Sequence, residues 1–499
     1  MNKEVVEEYE VEADGVPARV QIVDTEEEYV LNYEVERPEI HTATEAILTD
    51  LKEQIVKKVK LSTEEFVDAK ALQKVKKKFR DEALELLEEE LPETSERSKQ
   101  ILIGNLIHEM LGLGDIELVL SDDHLEEIVV NSSDEPAWVY HKEKGWLKTD
   151  ISFRDEDEIY NYASEIGRRV GKNISSLHPL LDAHLPSGDR TNATLYPIST
   201  DGNTITIRRF ARDPWTITDF IRNGTVDREV AAFLWLCLQY ELNVIVSGGT
   251  GAGKTSLLNV LMPFIPPNQR VLSIEDTREV SLPEFLHWVP LTTREPNPEG
   301  KGGVSMLDLL VNALRMRPDR ILVGEIRRQR QAEVLFEAMH TGHSVYSTLH
   351  ADTAEQTVRR LVNPPIDVPE TMVDAVDVNV VMFRDRRRNF RRAMEVAEIT
   401  EKEQGELEAD VIYEWKSKPD EIEKKRESQA IFETLNLHTG MTRKEMRESI
   451  EEKKVVLKWM EEKEIDDVDD VGKVIAEYYS NHDNIVEMAE NSKDPEGIL

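Results

Sequence analysis

The chain has 499 residues, with 62 Lys and Arg against 99 Asp and Glu, for a formal net charge of −37. A surface of this sign repels phosphodiester backbones and anionic lipid, which disfavours a broad nucleic-acid-binding face. The longest uncharged apolar run, 230–240, is far shorter than the ~20 residues of a membrane span. Cys237 is the only cysteine, which excludes intrachain disulfides and cysteine-based zinc clusters. A cytosolic protein is favoured over a transmembrane or secreted one.

The first 210 residues predict two α+β segments. Residues 1–95 combine short alternating stretches with two helical ones and are expected to form a front α+β module. Residues 96–210 mix helices with short strands and end on the alternation of 204–210, which indicates a second α+β domain. Asp213-Pro214 interrupts regular structure. The interdomain linker is therefore placed at 211–226.

From residue 227 the sequence pattern changes to short apolar strands that alternate with helices. This pattern predicts an α/β domain with a largely parallel sheet over 227–400. Residues 401–499 are expected to form a mainly helical C-terminal subdomain. There, Thr442 and Glu445 form a predicted capping box. Two apolar stripes follow at helical spacing: Met446, Ile450, Leu457 and Met460 form the first, and Val471, Val474, Ile475, Tyr478 and Tyr479 form the second. We interpret both stripes as packing faces.

The strongest chemical signal is the glycine-rich segment GGTGAGKT at 248–255, between an apolar strand and a helical stretch. Glycines let backbone N–H groups wrap a phosphate at a helix N-terminus, and this pattern places Lys254 at the β- and γ-phosphates and the Thr255 hydroxyl on Mg²⁺. The sequence therefore predicts an ATP site. Its expected contacts are Gly248, Gly249, Thr250, Gly251, Ala252, Gly253, Lys254, Thr255 and Ser256.

Two acidic strand ends are candidates for the metal and for the attacking water. Glu275 follows the strand at 271–274, and Glu325 follows 321–323. We expect Glu275 to polarise the attacking water and Glu325 to hold Mg²⁺ through water. The reverse assignment stays open, as does an ordinary strand-end role for either carboxylate.

Three histidines, His340, His343 and His350, surround the strand at 345–349. An extended strand separates His343 from His350 by about 20 Å, which argues against a shared metal ion. Phosphate sensing or interdomain hydrogen bonding is the favoured role of His343 and His350, with a structural role as the alternative.

Four boxes in this order resemble the secretion-type ATPases that power type IV pilus assembly, type II secretion and the archaellum. They are GGTGAGKT at 248–255, SIEDTREV at 273–280, DRILVGEIR at 319–327 and TGHSVYSTLHAD at 341–352. The segment LVNPPIDVPE at 361–370 and the lack of a four-cysteine element resemble the archaeal branch. The resemblance implies a RecA-like P-loop ATPase domain, preceded by α+β N-terminal domains and followed by a helical C-terminal appendage.

The same resemblance implies a homohexamer at the inner face of the cell membrane. Such a motor is held by a polytopic platform protein, without membrane insertion of its own, and drives a pilus-like or archaellum filament or type II-like secretion. The rival is a nucleic-acid translocase of the conjugation or RecA-like class, which the net charge disfavours and which stimulation of ATP hydrolysis by single-stranded DNA would reveal.

Arginines of the first domain and its edge are expected to meet the nucleotide when the domains close. Arg190, Arg208 and Arg209 are the candidates, with Arg278 as a weaker one. Such an arginine can contribute about 10³ to 10⁵ in rate, either within one chain or from a neighbouring subunit. Interdomain salt bridges are the structural alternative.

Overall fold

The computed structural model describes residues 3–25, 28–38, 40–58, 69–185, 188–209, 214–296, 300–401, 407–495 and 497–499. Two units divide the chain, Met1–Arg212 and Asp213–Leu499. No helix in the described part of the chain is long and apolar enough to cross a membrane.

The N-terminal unit is built on a mixed sheet of nine strands in the order β1-β2-β3-β6-β5-β4-β9-β8-β7. Its strands are β1 (Lys3–Ala13), β2 (Val16–Thr25), β3 (Asn32–Glu36), β4 (Leu125–Val130), β5 (Trp138–His141), β6 (Gly145–Thr149), β7 (Leu180–His184), β8 (Arg190–Thr194) and β9 (Thr204–Arg208). Its helices are α1 (Thr42–Lys58), α2 (Ala69–Glu90), α3 (Glu96–Leu111), α4 (Ile116–Ser121) and α5 (Glu156–Arg169).

The predicted boundary between residues 95 and 96 does not coincide with a break in this sheet. Strand β3 pairs in parallel with β6, so the sequence before and after the boundary shares one sheet. Residues 210–213, where the predicted domain ends and the predicted linker begins, lie outside the described residues. The rest of the predicted linker contains a helix, α6 (Ile217–Arg222), whose capping box is Thr216 with Asp219.

The C-terminal unit contains a second sheet, in the order β12-β11-β13-β14-β10-β15-β16-β17-β18. Its strands are β10 (Val244–Gly248), β11 (Arg270–Glu275), β12 (His287–Thr292), β13 (Arg320–Val323), β14 (Ser344–Leu349), β15 (Val378–Asp385), β16 (Phe390–Glu401), β17 (Leu407–Lys416) and β18 (Glu421–Lys424). The first six strands in sheet order, from β12 to β15, pair in parallel, and the last three extend the sheet antiparallel.

Helices pack against this sheet, and together they enclose a buried apolar core. The helices are α7 (Arg228–Gln239), α8 (Lys254–Leu261), α9 (Met306–Ala313), α10 (Gln329–His340), α11 (Ala354–Val362), α12 (Glu370–Val373), α13 (Ala430–Thr439), α14 (Arg443–Glu462), α15 (Val468–Ser480) and α16 (His482–Glu490). Because α7 is apolar on all sides, it lies inside the core, where Trp235 stacks on Phe264.

The C-terminal hundred residues differ in part from the prediction. The capping box of Thr442 with Glu445 is confirmed, and both apolar stripes are buried in the core that contains α7. Residues 407–424, however, form β17 and β18. Buried Ile412 and Tyr413 continue the sheet there, so this part is strand and not helix.

Candidate active site

The phosphate-binding loop lies between β10 and α8, at the carboxyl edge of the parallel strands. Strand β10 ends at Gly248, which has φ +149°, and a β-carbon there would come within 2.4 Å of the Met382 carbonyl oxygen. Only glycine fits this position. The chain then returns through 249–253 into α8, whose first residue is Lys254.

Two donors of this loop point at one acceptor. The Gly249 carbonyl oxygen accepts hydrogen bonds from the Ala252 N–H at 3.3 Å and from Lys254 Nζ at 3.0 Å. Burial lowers the pKa of Lys254, while the carboxylates of Glu325, Glu279 and Asp352 oppose that shift. A phosphate oxygen that replaced the carbonyl would meet both donors.

Glu275 is the buried carboxylate of the site. It ends β11 with 2% of its surface exposed, and its Oε1 accepts from the N–H groups of Glu279 and Val280 at 2.9 and 3.0 Å. Its Oε2 is buried and has no hydrogen-bond partner in the described structure. Burial raises the pKa of Glu275 to about 7. Such a carboxylate is suited to accept a proton near neutral pH.

Glu325 lies one strand away, after Gly324 at the end of β13. A β-carbon on Gly324 would lie 3.6 Å from Glu275 Cα, so the two acidic strand ends are neighbours. The Glu325 carboxylate accepts from Arg327 Nε at 2.8 Å, and Arg327 Nη1 reaches Asp276 at 2.9 Å. Arg327 therefore bridges two acidic groups. Arg327 ends the third box but is not among the predicted site residues.

The structure separates the predicted histidines. His350 lies beside the loop, with Nε2 3.4 Å from the Thr250 hydroxyl, and burial followed by the charge of Lys254 lowers its pKa. His343 precedes β14, at the opposite edge of the parallel sheet, and its Nδ1 contacts Thr341 Oγ1 and the Ala338 carbonyl oxygen. Within this unit, His350 belongs to the site and His343 does not.

The arginines of the N-terminal unit have partners of their own. Arg190 forms a two-point ion pair with Asp182, at 3.2 and 2.8 Å, and lies across from Arg208 in the sheet. Arg209 differs, because its side chain is only 4% exposed and makes four hydrogen bonds within the unit. Its partners are the carbonyl oxygens of Leu120, Asp122 and Leu125 and the carboxylate of Asp123. We therefore correct the expected clamp: Arg209 is a framework residue.

Arg278, the weaker candidate, belongs to the C-terminal unit. Its guanidinium lies over the Trp288 ring, 4.8 Å from the centroid.

Two further arginines touch the phosphate-binding loop and were missed. Arg384 and Arg391 face Gly251 from β15 and β16. The sequence feature that could have identified them is the occurrence of six arginines among residues 384–392 in a chain of net charge −37.

The residues present fit a nucleotide with its metal ion. The glycine loop, Lys254 and Thr255 lie together at the start of α8. Glu325 lies close enough to Lys254 to influence the pKa of the lysine. Glu275 Oε2 has no hydrogen-bond donor among the described residues. A water molecule would satisfy that oxygen, because buried polar atoms rarely stay unpaired.

A family model described as type II/IV secretion system protein matches residues 109–463, which contain this whole site. The chain belongs to this family. The predicted α/β class with a RecA-like P-loop domain is confirmed.

Individual members of the family show different degrees of similarity. An uncharacterized protein of Methanocaldococcus jannaschii is 41% identical over 309 residues, covering 61% of this chain and 55% of that protein. The type IV secretion system protein PtlH of Bordetella pertussis is 31% identical over 306 residues, covering 55% of this chain and 89% of PtlH. The VirB11 ATPase from the Brucella suis type IV secretion system is 26% identical, covering 56% of this chain and 90% of that chain, with a TM-score of 0.29. The chain thus matches about half the length of the M. jannaschii relative.

Proposed function

We propose that this secretion-family chain hydrolyses ATP with Mg²⁺ and converts the hydrolysis into mechanical work. The observation that carries the proposal is Glu275, a buried carboxylate with one unpartnered oxygen and a pKa of about 7, on the same sheet edge as the phosphate-binding loop. A nucleotide-binding scaffold without turnover has no use for such a group.

Each residue of the site has a defined task in this proposal. The loop amides and Lys254 bind the phosphates, for which Lys254 Nζ leaves the Gly249 carbonyl. Thr255, and Glu325 through water, would hold Mg²⁺, which would supply charge neutralisation at the phosphates when bound. Glu275 Oε2 orients the attacking water and accepts its proton. Arg190 and Arg208 remain candidates for a cation delivered by domain closure or by a neighbouring subunit.

Family membership supports a proposal for the mechanical output. We infer that the chain forms a homohexamer on the cytoplasmic side of the cell membrane and binds a polytopic platform protein there. Work on that platform would assemble a pilus-like or archaellum filament or drive type II-like secretion. Membership of the type II/IV secretion family and the similarity to PtlH support this output.

Phosphate release from MgATP tests the enzymatic proposal. The wild-type protein should release phosphate, whereas Lys254→Ala should not, because the cation between the β- and γ-phosphates is lost. Lys444→Ala is the matched control, since Lys444 is an exposed lysine of α14 in the same unit. A wild-type protein without nucleotide affinity, or a Lys254→Ala protein as active as the control, would refute the proposal.

Subunit mixing tests the arginines. Arg208→Ala should retain nucleotide binding and lose most hydrolysis. Inactive Arg208→Ala mixed with inactive Lys254→Ala should regain activity if the arginine acts on a neighbouring subunit. No recovery in rings that exchange subunits would indicate delivery within one chain, and full activity of Arg208→Ala would remove it from the site.

A further inference from the structure

The hairpin of β15 and β16 carries a cluster of arginines in an otherwise acidic chain. Six of the residues 384–392 are arginines, and those of the turn, 386–388, are exposed. Two other arginines of this run, Arg384 and Arg391, lie instead against the phosphate-binding loop. None of the four boxes of the sequence includes this hairpin.

Arg384 and Arg391 are direct cross-strand partners. Cross-strand partners share one face of a sheet, and like charges placed opposite each other are unfavourable by about 0.2–1 kcal/mol. Both side chains turn to the same residue of the loop. Arg391 Nε donates to the Gly251 carbonyl oxygen at 3.2 Å, and Arg384 Nη1 lies 2.7 Å from where a β-carbon on Gly251 would be. Two positive charges beside the phosphate-binding loop make the binding of an anion there more favourable.

The Arg391 hydrogen bond determines which way one peptide group of the loop faces. In a trans peptide, the carbonyl of Gly251 and the N–H of Ala252 point in opposite directions. Because Arg391 holds the carbonyl outward, the N–H points inward, to the Gly249 oxygen that also accepts from Lys254 Nζ. Arg391 thus aligns a loop amide with the P-loop lysine.

The hairpin is anchored so that this alignment is maintained. Arg392, next in sequence, forms a two-point ion pair with Asp420 at 3.0 and 2.9 Å and lies over the Phe390 ring. The Trp415 indole N–H donates to the same carboxylate at 2.7 Å. The end of the hairpin that adjoins its turn is therefore fixed to β17 and to the turn that follows β17.

We propose that Arg384 and Arg391 are part of the nucleotide site of the same chain, with Arg391 as the positioning residue that presents the Ala252 amide to a phosphate of the nucleotide. The ligand chemistry is a di- or triphosphate, and the inference rests on the proposed ATP site. Arg384 adds a second positive charge on the same face of the hairpin.

Competition binding tests this role. A fluorescent ADP analogue is displaced by MgATP, MgADP and inorganic pyrophosphate from the wild type, Arg391→Met, Arg391→Lys, Arg384→Met and Arg387→Met. The last removes an exposed arginine of the same hairpin tip and is the matched control. Lys254→Ala and the wild type establish that the analogue occupies the P-loop, so failure of the ATP site itself is recognised separately.

Arg391→Met should weaken the binding of all three competitors by about 10-fold, since the variant loses the charged hydrogen bond that orients the Ala252 N–H for a phosphate. The KM for ATP should rise by the same factor with kcat changed by less than about threefold, because the phosphate is held equally before and during reaction. Arg391→Lys, which keeps a donor and the charge, should lie between wild type and Arg391→Met, and Arg387→Met should stay within about twofold of wild type.

A folded Arg391→Met protein with the affinity and KM of Arg387→Met would overturn the proposal. Should Arg391→Met fail to fold, Arg391→Lys and Arg384→Met decide the question. Wild-type affinity in both of these variants would overturn it equally.

Discussion

Arg327 Nε forms an ion pair with Glu325 at 2.8 Å and Arg327 Nη1 forms another with Asp276 at 2.9 Å, so that one guanidinium bridges two acidic groups of the site. Its side chain is 58% exposed, whereas that of Glu325 is 22% exposed. The positive charge of the Arg327 guanidinium therefore offsets part of the negative charge that a divalent cation would otherwise offset. A metal held by Glu325 has to compete with it.

This competition predicts an effect on the Mg²⁺ requirement. Arg327→Met should lower the Mg²⁺ concentration for half-maximal ATP hydrolysis by about threefold, because a nearby positive charge is removed. Arg330→Met is the control, since Arg330 is exposed and pairs with Glu333 in α10. A higher Mg²⁺ requirement in Arg327→Met alone would show that Arg327 supports the metal instead of competing with it.

The raised pKa of Glu275 predicts how hydrolysis depends on pH. Its carboxylate must be ionised to accept a proton, and its pKa of about 7 means that the ionised fraction rises between pH 6 and 8. The kcat should therefore increase across this range with an apparent pKa near 7. A kcat that is flat from pH 6 to 8, with chemistry shown to limit turnover, would contradict the assignment.

The same group predicts a pH-dependent difference in stability. Because the folded protein favours the neutral carboxyl, it binds more protons than the unfolded chain between the ordinary pKa of 4.5 and about 7. Stability from this site is therefore lost as the pH rises through that window. Glu275→Gln should raise the free energy of unfolding by about 3 kcal/mol at pH 8 and much less at pH 4.5. Denaturant unfolding at both pH values measures it, and an equal change at both would exclude the linkage.

Arg209 and Arg208 form a matched pair for testing the N-terminal unit. Arg209→Ala should lower the free energy of unfolding of this unit by about 3 kcal/mol, because it leaves buried carbonyl oxygens without their donor. Arg208→Ala, at the exposed end of β9, should cost less than about 1 kcal/mol. Equal losses in the two variants would contradict the framework role of Arg209.

The sequence predicted the parts of the fold that repeat a local pattern. The strands of the parallel sheet, the phosphate-binding loop and the capping box at Thr442 all follow from spacing within a few residues. Glu275 and Glu325 were recognised because each ends an apolar strand. Their placement side by side required the sheet order, which a single sequence does not state.

Other features depend on contacts between distant residues. Arg209 saturates carbonyl groups that lie more than eighty positions earlier, and Arg391 reaches a loop 140 positions away. The local sequence identifies the partner of neither arginine, although the arginines of 384–392 mark the segment that contains Arg391. The pairing of β3 with β6, which joins the front segment to the following domain, is also long-range. The periodicity of apolar residues in the sequence does not predict it.

The proposed recruitment to the membrane by a platform protein predicts that the chain itself has no affinity for lipid. The purified protein should not float with protein-free vesicles rich in anionic lipid, because a net charge of −37 is repelled by them. Vesicles that contain the platform protein are the comparison. Strong flotation with protein-free anionic vesicles would replace the indirect model with direct lipid binding.

The most direct test of the central claim is a comparison of nucleotide binding and phosphate release in Glu275→Gln and Glu325→Gln. Glu275→Gln should bind MgATP with wild-type affinity and release phosphate at least about 100-fold more slowly, because the proton acceptor is lost while the phosphate contacts remain. A Glu275→Gln protein that turns over at the wild-type rate, beside an inactive Glu325→Gln protein, would contradict the account and exchange the roles of the two carboxylates.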